Sequence, residues 1–113
     1  VLDRLIDDED DVAIAAISVA ELAVGIELAD EERRAKRAAF VAAVLDAVSV
    51  ETYDVDVAQA HGALLAHTRR SGRPRGAHDL IISATARARG RVVVSADSGG
   101  FAELPGVAVR EVP

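Results

Sequence analysis

The sequence predicts an α/β fold, a central and mostly parallel sheet flanked by helices on both faces. Two observations carry this. Short runs rich in β-branched and small apolar residues at 12–17, 48–53, 91–95 and 107–112 are bounded by turn residues and read as strands. Segments with apolar residues at helical spacing separate the first three runs, and strands that alternate with helices pair in parallel. The expectation is therefore one parallel sheet containing these four strands. At 113 residues, residues 1–113 form a single domain with material for one core and not for two.

Each element has a local cause. Val1 to Ile6 reads as a helix end, with Leu2, Leu5 and Ile6 on one side. The acidic run Asp7 to Asp11 reads as a solvated turn, because it lacks the glycine and ligand spacing of a calcium loop. Val12 to Ile17 is a continuous apolar run, the pattern of a strand buried on both faces. Ser18-Val19-Ala20-Glu21 then fits a capping box, Ser18 as N-cap and Glu21 reaching back to its backbone N–H. Asp30 caps a second helix that keeps its period to about Ala47. Residues 48–53 alternate as a strand, and Asp54 or Asp56 caps a third helix running to Thr68. His61 and His67 lie six apart on that helix, a spacing that does not place both on one metal. Arg69 to Gly76 is a loop marked by Gly72, Pro74 and Gly76. A fourth helix opens at His78-Asp79 and stops at Gly90. After the strand at 91–95 come a tight loop at 96–100, one helical turn at Phe101 to Leu104, and a break at Pro105-Gly106.

Composition narrows the function. Only Phe40, Tyr53 and Phe101 are aromatic, so the core must be built from Ala, Val, Leu and Ile. The absence of cysteine removes disulfides and thiolate chemistry and is compatible with a reducing cytoplasm. No apolar run approaches membrane-span length and no signal-peptide pattern is present, so no membrane association is expected. The net charge of −6 argues against nonspecific nucleic-acid binding. That charge is uneven, however. Residues 1–32 hold eleven acids against Arg4, whereas 69–91 hold seven arginines against Asp79.

Three carboxylates share one topological address. Glu21 follows the first strand, Asp97 follows the third, and Asp79 opens the helix leading into the third. Ligands of open parallel sheets bind beyond the carboxyl ends of the strands. Each acid also has a plainer role: Glu21 as capping-box acceptor, Asp97 as an Asx-turn residue, Asp79 as a helix N-terminal acid facing the macrodipole. Together at one sheet edge they would repel unless a cation sat between them. With only oxygen ligands on offer, that cation is Mg²⁺ or Mn²⁺.

The motifs resemble those of PIN domains. Ser18-Val19-Ala20-Glu21-Leu22-Ala23-Val24-Gly25 is similar to the second acidic motif, in which Glu-Leu-x-x-Gly follows a strand. His78-Asp79-Leu80-Ile81-Ile82-Ser83-Ala84-Thr85-Ala86 resembles the third. Val94-Ser95-Ala96-Asp97 with Phe101 and Leu104-Pro105-Gly106-Val107 resembles the closing motif. The likeness covers nearly the whole chain in order and is nearest to VapC-type toxins of bacterial toxin–antitoxin pairs. It implies a three-layer PIN-like fold and a metal-dependent endoribonuclease, held inactive by a VapB-like antitoxin in a bacterial or archaeal cytoplasm. It also implies a homodimer or a toxin–antitoxin hetero-oligomer.

On this resemblance Glu21, Asp79 and Asp97 are the catalytic metal ligands. Ser18 and Ser95 are polar neighbours able to orient a carboxylate or a water. Arg69, Arg70, Arg73 and Arg75 are candidates for contacts with RNA phosphates, or else form a solvated loop on an acidic protein. The sequence departs from the family at two points. The family's first strand ends in an Asp, and Asp3 stands too close to Glu21 to be that residue. The first strand is thus expected to be missing, in keeping with the absence of any methionine, even at position 1. The family often has an acid immediately before the closing Phe, where this chain has Gly100. An alternative assignment is a catalytically impaired PIN-like interaction module.

Overall fold

The computed structural model describes residues 11–113. The helix end expected at 1–6 and all but the last residue of the acidic turn lie outside them. Strand β1 (Ala13–Ala15) leads into helix α1 (Ala16–Glu27) and helix α2 (Glu31–Ala47), followed by β2 (Ser49–Glu51). Helices α3 (Val55–Ser71) and α4 (Ala77–Arg89) then precede β3 (Val92–Ser95), a single 3₁₀ turn at Ser98–Gly100, and β4 (Ala108–Glu111). This is the predicted α/β class, with parallel strands throughout. β1 pairs with β2 in the register Ala13↔Ser49 to Ala15↔Glu51, and β3 with β4 from Val92↔Ala108 to Ser95↔Glu111.

The strands do not form the single sheet expected for them. Among the described residues they form two sheets of two strands each. Between β1 and β3 lies a cleft of about 840 Å³, lined by residues of both strands together with Ile82, Ala86 and Phe101. Neighbouring strands must approach to about 4.8 Å to share hydrogen bonds. The cleft keeps these two edges beyond that reach.

Local chemistry accounts for most helix ends. Asp30 Oδ1 accepts from the Arg33 N–H at 2.9 Å, and Asp54 Oδ1 from the Val57 N–H at 3.1 Å. Both are N-caps of the expected kind, and they settle the third helix on Asp54 and not Asp56. Helix α3 ends on Gly72 (φ 67°) and α4 on Gly90 (φ 65°), both left-handed. Two boundaries differ from expectation. Helix α3 continues through Arg69 and Arg70 to Ser71, since arginine is a good helix former and its charge suits a helix C-terminus. Helix α1 starts at Ala16 with Ala15 as N-cap and no side-chain cap. The capping box at Ser18 is therefore not formed. Ala15-Ala16 is better helix than strand material, so the helix begins before the serine.

Burial is concentrated on α4. Leu80, Ser83, Ala84, Thr85 and Ala86 are all buried, which places this helix between α3 and the β3–β4 pair. On one side Leu80 and Ala84 join Val57, Leu64 and Leu104; on the other Ala86 joins Val93 and Phe101. Val107 packs against both clusters. By contrast α1 buries no residue and α2 only Val41. Val24, Leu28 and Phe40 on this helical hairpin are 53%, 82% and 64% exposed.

Candidate active site

Helix α4 presents Asp79 in its first turn. The Gly76 N-cap offers no side chain to the helix end, and the Asp79 carboxylate stands in the first turn, at the positive end of the macrodipole. Two glycines crowd this carboxylate. A Cβ at Gly76 would lie 3.3 Å from Asp79 Oδ2, and a Cβ at Gly100 would collide with the same oxygen and stand 3.1 Å from its Cγ. The departure at position 100 thus has a steric content: the missing side chain is the room in which Asp79 sits.

Gly100 belongs to the 3₁₀ turn opened by Asp97, and this turn brings the second acid alongside. Asp97 Oδ1 accepts from the Gly99 N–H at 3.1 Å. Ser95 Oγ donates to the Asp97 carbonyl at 2.9 Å and accepts from the Asp97 N–H at 3.1 Å. Ser95 therefore fixes the backbone of the turn and makes no contact with a carboxylate. Asp97 serves as an Asx-turn residue, and its other carboxylate oxygen remains available.

Glu21 arrives from α1. Free of a capping role, its Oε1 lies 3.4 Å from His78 Nδ1, the residue just before Asp79. This contact ties α1 to the start of α4, at the residue that precedes Asp79. Ser18, one turn earlier on α1, lines the cleft between β1 and β3. Among the described residues, however, no three His, Cys, Asp or Glu side chains stand together as a metal-binding group. The chemistry of the donor set fits a hard divalent cation: all three are carboxylates, and none is paired with an arginine. Asp79 and Asp97 flank one turn, and Glu21 is held by His78.

The arginines divide sharply. Arg69 and Arg70 are exposed on the last turn of α3. Arg73 Nη1 pairs with Glu103 Oε2 at 3.0 Å, and Arg75 Nη1 donates to the Gly99 carbonyl at 3.1 Å. Arg75 thus reaches the turn that carries Asp97. Arg87 donates to the Pro105 carbonyl at 3.2 Å. Arg89 pairs with Glu51 at 2.9 Å and Asp54 at 2.6 Å, and Arg91 with Glu51 at 3.2 Å and Asp11 at 2.9 Å. The hydrogen bond from Arg89 holds the Asp54 carboxyl below its ordinary value, and the Val57 N–H adds to this. The same bond raises the Arg89 guanidinium. Of the seven arginines in 69–91, these last three are engaged by carbonyls or carboxylates of the fold.

Sequence reasoning missed His78 as the partner of Glu21, and Gly76 and Gly100 as the walls around Asp79. Gly76, three residues before the motif acid, was the available signal; Gly100 stands far from it in sequence. The Glu51–Arg89–Arg91 cluster had none, since Glu51 and Arg91 are 40 residues apart.

Comparison with known proteins gives a consistent set of likenesses. The profile of the PIN domain family matches residues 1–107. The tRNA(fMet)-specific endonuclease VapC of Salmonella typhimurium is 32% identical over 100 residues, covering 87% of this chain and 73% of that protein. The fold superposes on the DNA-bound VapBC crystal structure from Salmonella typhimurium with a TM-score of 0.82 and 29% identity, covering 88% of this chain and 74% of that one. For VapBC-5 of Mycobacterium tuberculosis the TM-score is 0.80 and the identity 31%, covering 89% and 82%.

Proposed function

The chain belongs to the PIN domain family, and from that premise we propose that it is a metal-dependent endoribonuclease toxin neutralised by a VapB-like antitoxin. The observation that carries this reading is the placement of Asp79. Its carboxylate has no arginine partner, stands at the positive end of α4, and is walled by Gly76 and Gly100 beside the Asp97 turn. The Salmonella relative named as a tRNA(fMet)-specific endonuclease supports RNA as the substrate class. The solved VapBC complexes support an antitoxin partner and a hetero-oligomer.

In this reading Asp79, Asp97 and Glu21 hold Mg²⁺ or Mn²⁺. The ion, when bound, lowers the pKa of a water to make a nucleophile and offsets charge building on the phosphoryl oxygens. Asp79 and Asp97 approach from two sides of the turn at 98–100. Glu21 would join them from α1, where its Oε1 lies 3.4 Å from His78 Nδ1. Ser95 keeps Asp97 in place through the backbone, so its role is to position the turn. Arg75 holds the same turn from outside and turns its remaining N–H donors toward the RNA backbone.

A noncatalytic interaction module of the same fold is favoured by one observation, the lack of an assembled three-donor group among the described residues. Cleavage of RNA with Mg²⁺ and with EDTA decides between the two, using wild type and Asp79→Asn. The amide keeps the shape and removes the charge. Wild type should cleave only with the metal. The folded variant should lose at least about 100-fold, the scale on which a hard cation's ligand matters. Full cleavage by folded Asp79→Asn, or none by wild type, refutes the nuclease.

A further inference from the structure

A second depression, of about 200 Å³, is lined by His67, Thr68, Ser71, Arg73, Arg75 and Glu103. It sits between the end of α3 and the turn after Phe101. The two hydroxyls are committed. Thr68 Oγ1 donates to the Leu65 carbonyl at 2.8 Å and Ser71 Oγ to the Thr68 carbonyl at 3.2 Å. What the pocket offers a ligand is therefore two guanidinium groups and an imidazole. Against them stands one carboxylate, Glu103, on Arg73.

That carboxylate is weakly held. Arg73 and Glu103 are 71% and 74% exposed, and exposed ion pairs contribute little because water and salt compete for both partners. Glu103 also stands at φ 61°, in the left-handed region that residues with a Cβ avoid unless something holds them there. An anion that presents paired oxygens to the guanidinium fork competes well with such a partner. Arg75 connects the pocket to the acids. It lines the depression, and it grips the Gly99 carbonyl while the Gly99 N–H bonds Asp97.

We propose that this pocket is a subsite for an RNA phosphodiester flanking the one at the acids, with Glu103 occupying Arg73 in its place until RNA arrives. The proposal rests on the nuclease reading above and adds to it a specific seat for the substrate backbone. RNA phosphate displaces Glu103 from Arg73, Arg75 shares the same phosphate, and the strand then runs over Gly99 toward Asp97. Glu103 makes this seat a competitor-gated one: removing its charge should open the site, and removing Arg73 should abolish the competition with it.

The test is a double-mutant cycle on binding of a labelled single-stranded oligoribonucleotide in EDTA, followed by fluorescence anisotropy. KM for cleavage in Mg²⁺ is measured in parallel. Glu103→Gln should tighten binding about 3-fold, and Arg73→Gln should weaken it by a similar factor and flatten the salt dependence by roughly 0.7 in slope. In the Arg73→Gln background, Glu103→Gln should have no further effect. Equal tightening by Glu103→Gln in both backgrounds would show a general charge effect and overturn the pocket. So would wild-type binding by both single variants with cleavage intact, which leaves the nuclease standing. The expected cycle in a protein that cleaves nothing supports the pocket and removes the nuclease. A wild-type chain that neither binds nor cleaves RNA overturns both.

Discussion

At the scale of single residues, space around a side chain decides more than its identity. Position 100 shows this. Gly100→Ala should leave the fold intact and push Asp79 out of place, because the added methyl falls on its carboxylate oxygen. Displacing a reacting group by an ångström costs on the order of 100-fold, so RNA cleavage by the folded variant should fall by about that factor. Ser83 is the opposite case. It is fully buried on α4 and its hydroxyl has no partner among the described residues. Removing a buried, unpaired hydroxyl stabilises, and alanine is the better helix residue. Ser83→Ala should raise the unfolding free energy by about 1 kcal/mol, measured by denaturant titration. Local pattern put Asp79 at a helix start and Asp97 just after a strand, as they stand, whereas Glu21, expected at a helix start, lies in the second turn of α1. Ser18 was misread because Ala15-Ala16 can be read as strand or helix by apolarity alone. His78 was overlooked because its partner lies on another helix.

At the scale of elements, charge fastens pieces that apolar packing leaves apart. Glu51 at the end of β2 receives Arg89 from the end of α4 and Arg91 from the start of β3. Asp54, which caps α3, receives Arg89 as well. Its folded carboxyl is held below the ordinary 3.8, so it adds stability above that value. The contribution disappears as pH falls through the lowered folded value, where both states are protonated. Arg89→Gln should therefore lower Tm at neutral pH, and the gap from wild type should close on acidification below 3.8, followed by circular dichroism. An undiminished gap in acid would remove Asp54 from the account. None of this was readable beforehand. Arg91 and Asp11 are 80 residues apart, and no local spacing announces such a pair. The four strands were found within a residue or two, but their division into two pairs was not. Apolar runs show that strands exist and carry no record of their neighbours.

At the scale of the molecule, burial is unequal and the site straddles the inequality. Asp79 and Asp97 ride on the well-packed half built from α3, α4 and the β3–β4 pair, whereas Glu21 rides on α1, which buries nothing. Local opening draws on segments with few buried apolar contacts. Native-state hydrogen exchange should therefore show α1 and α2 amides exchanging well before those of α4, with the α1–α2 hairpin opening as a unit. Uniform protection across all four helices would refute the division. Val107 belongs to this picture in a different sense. It is partly buried and touches both apolar clusters, the one around Leu64 and the one around Phe101. Those clusters share α4 on one side and Val107 on the other, so neither can come apart without disturbing the other. One valine after a Pro-Gly break thus helps to make two small cores melt as one, and it carries the cooperativity of the packed half out to the last strand.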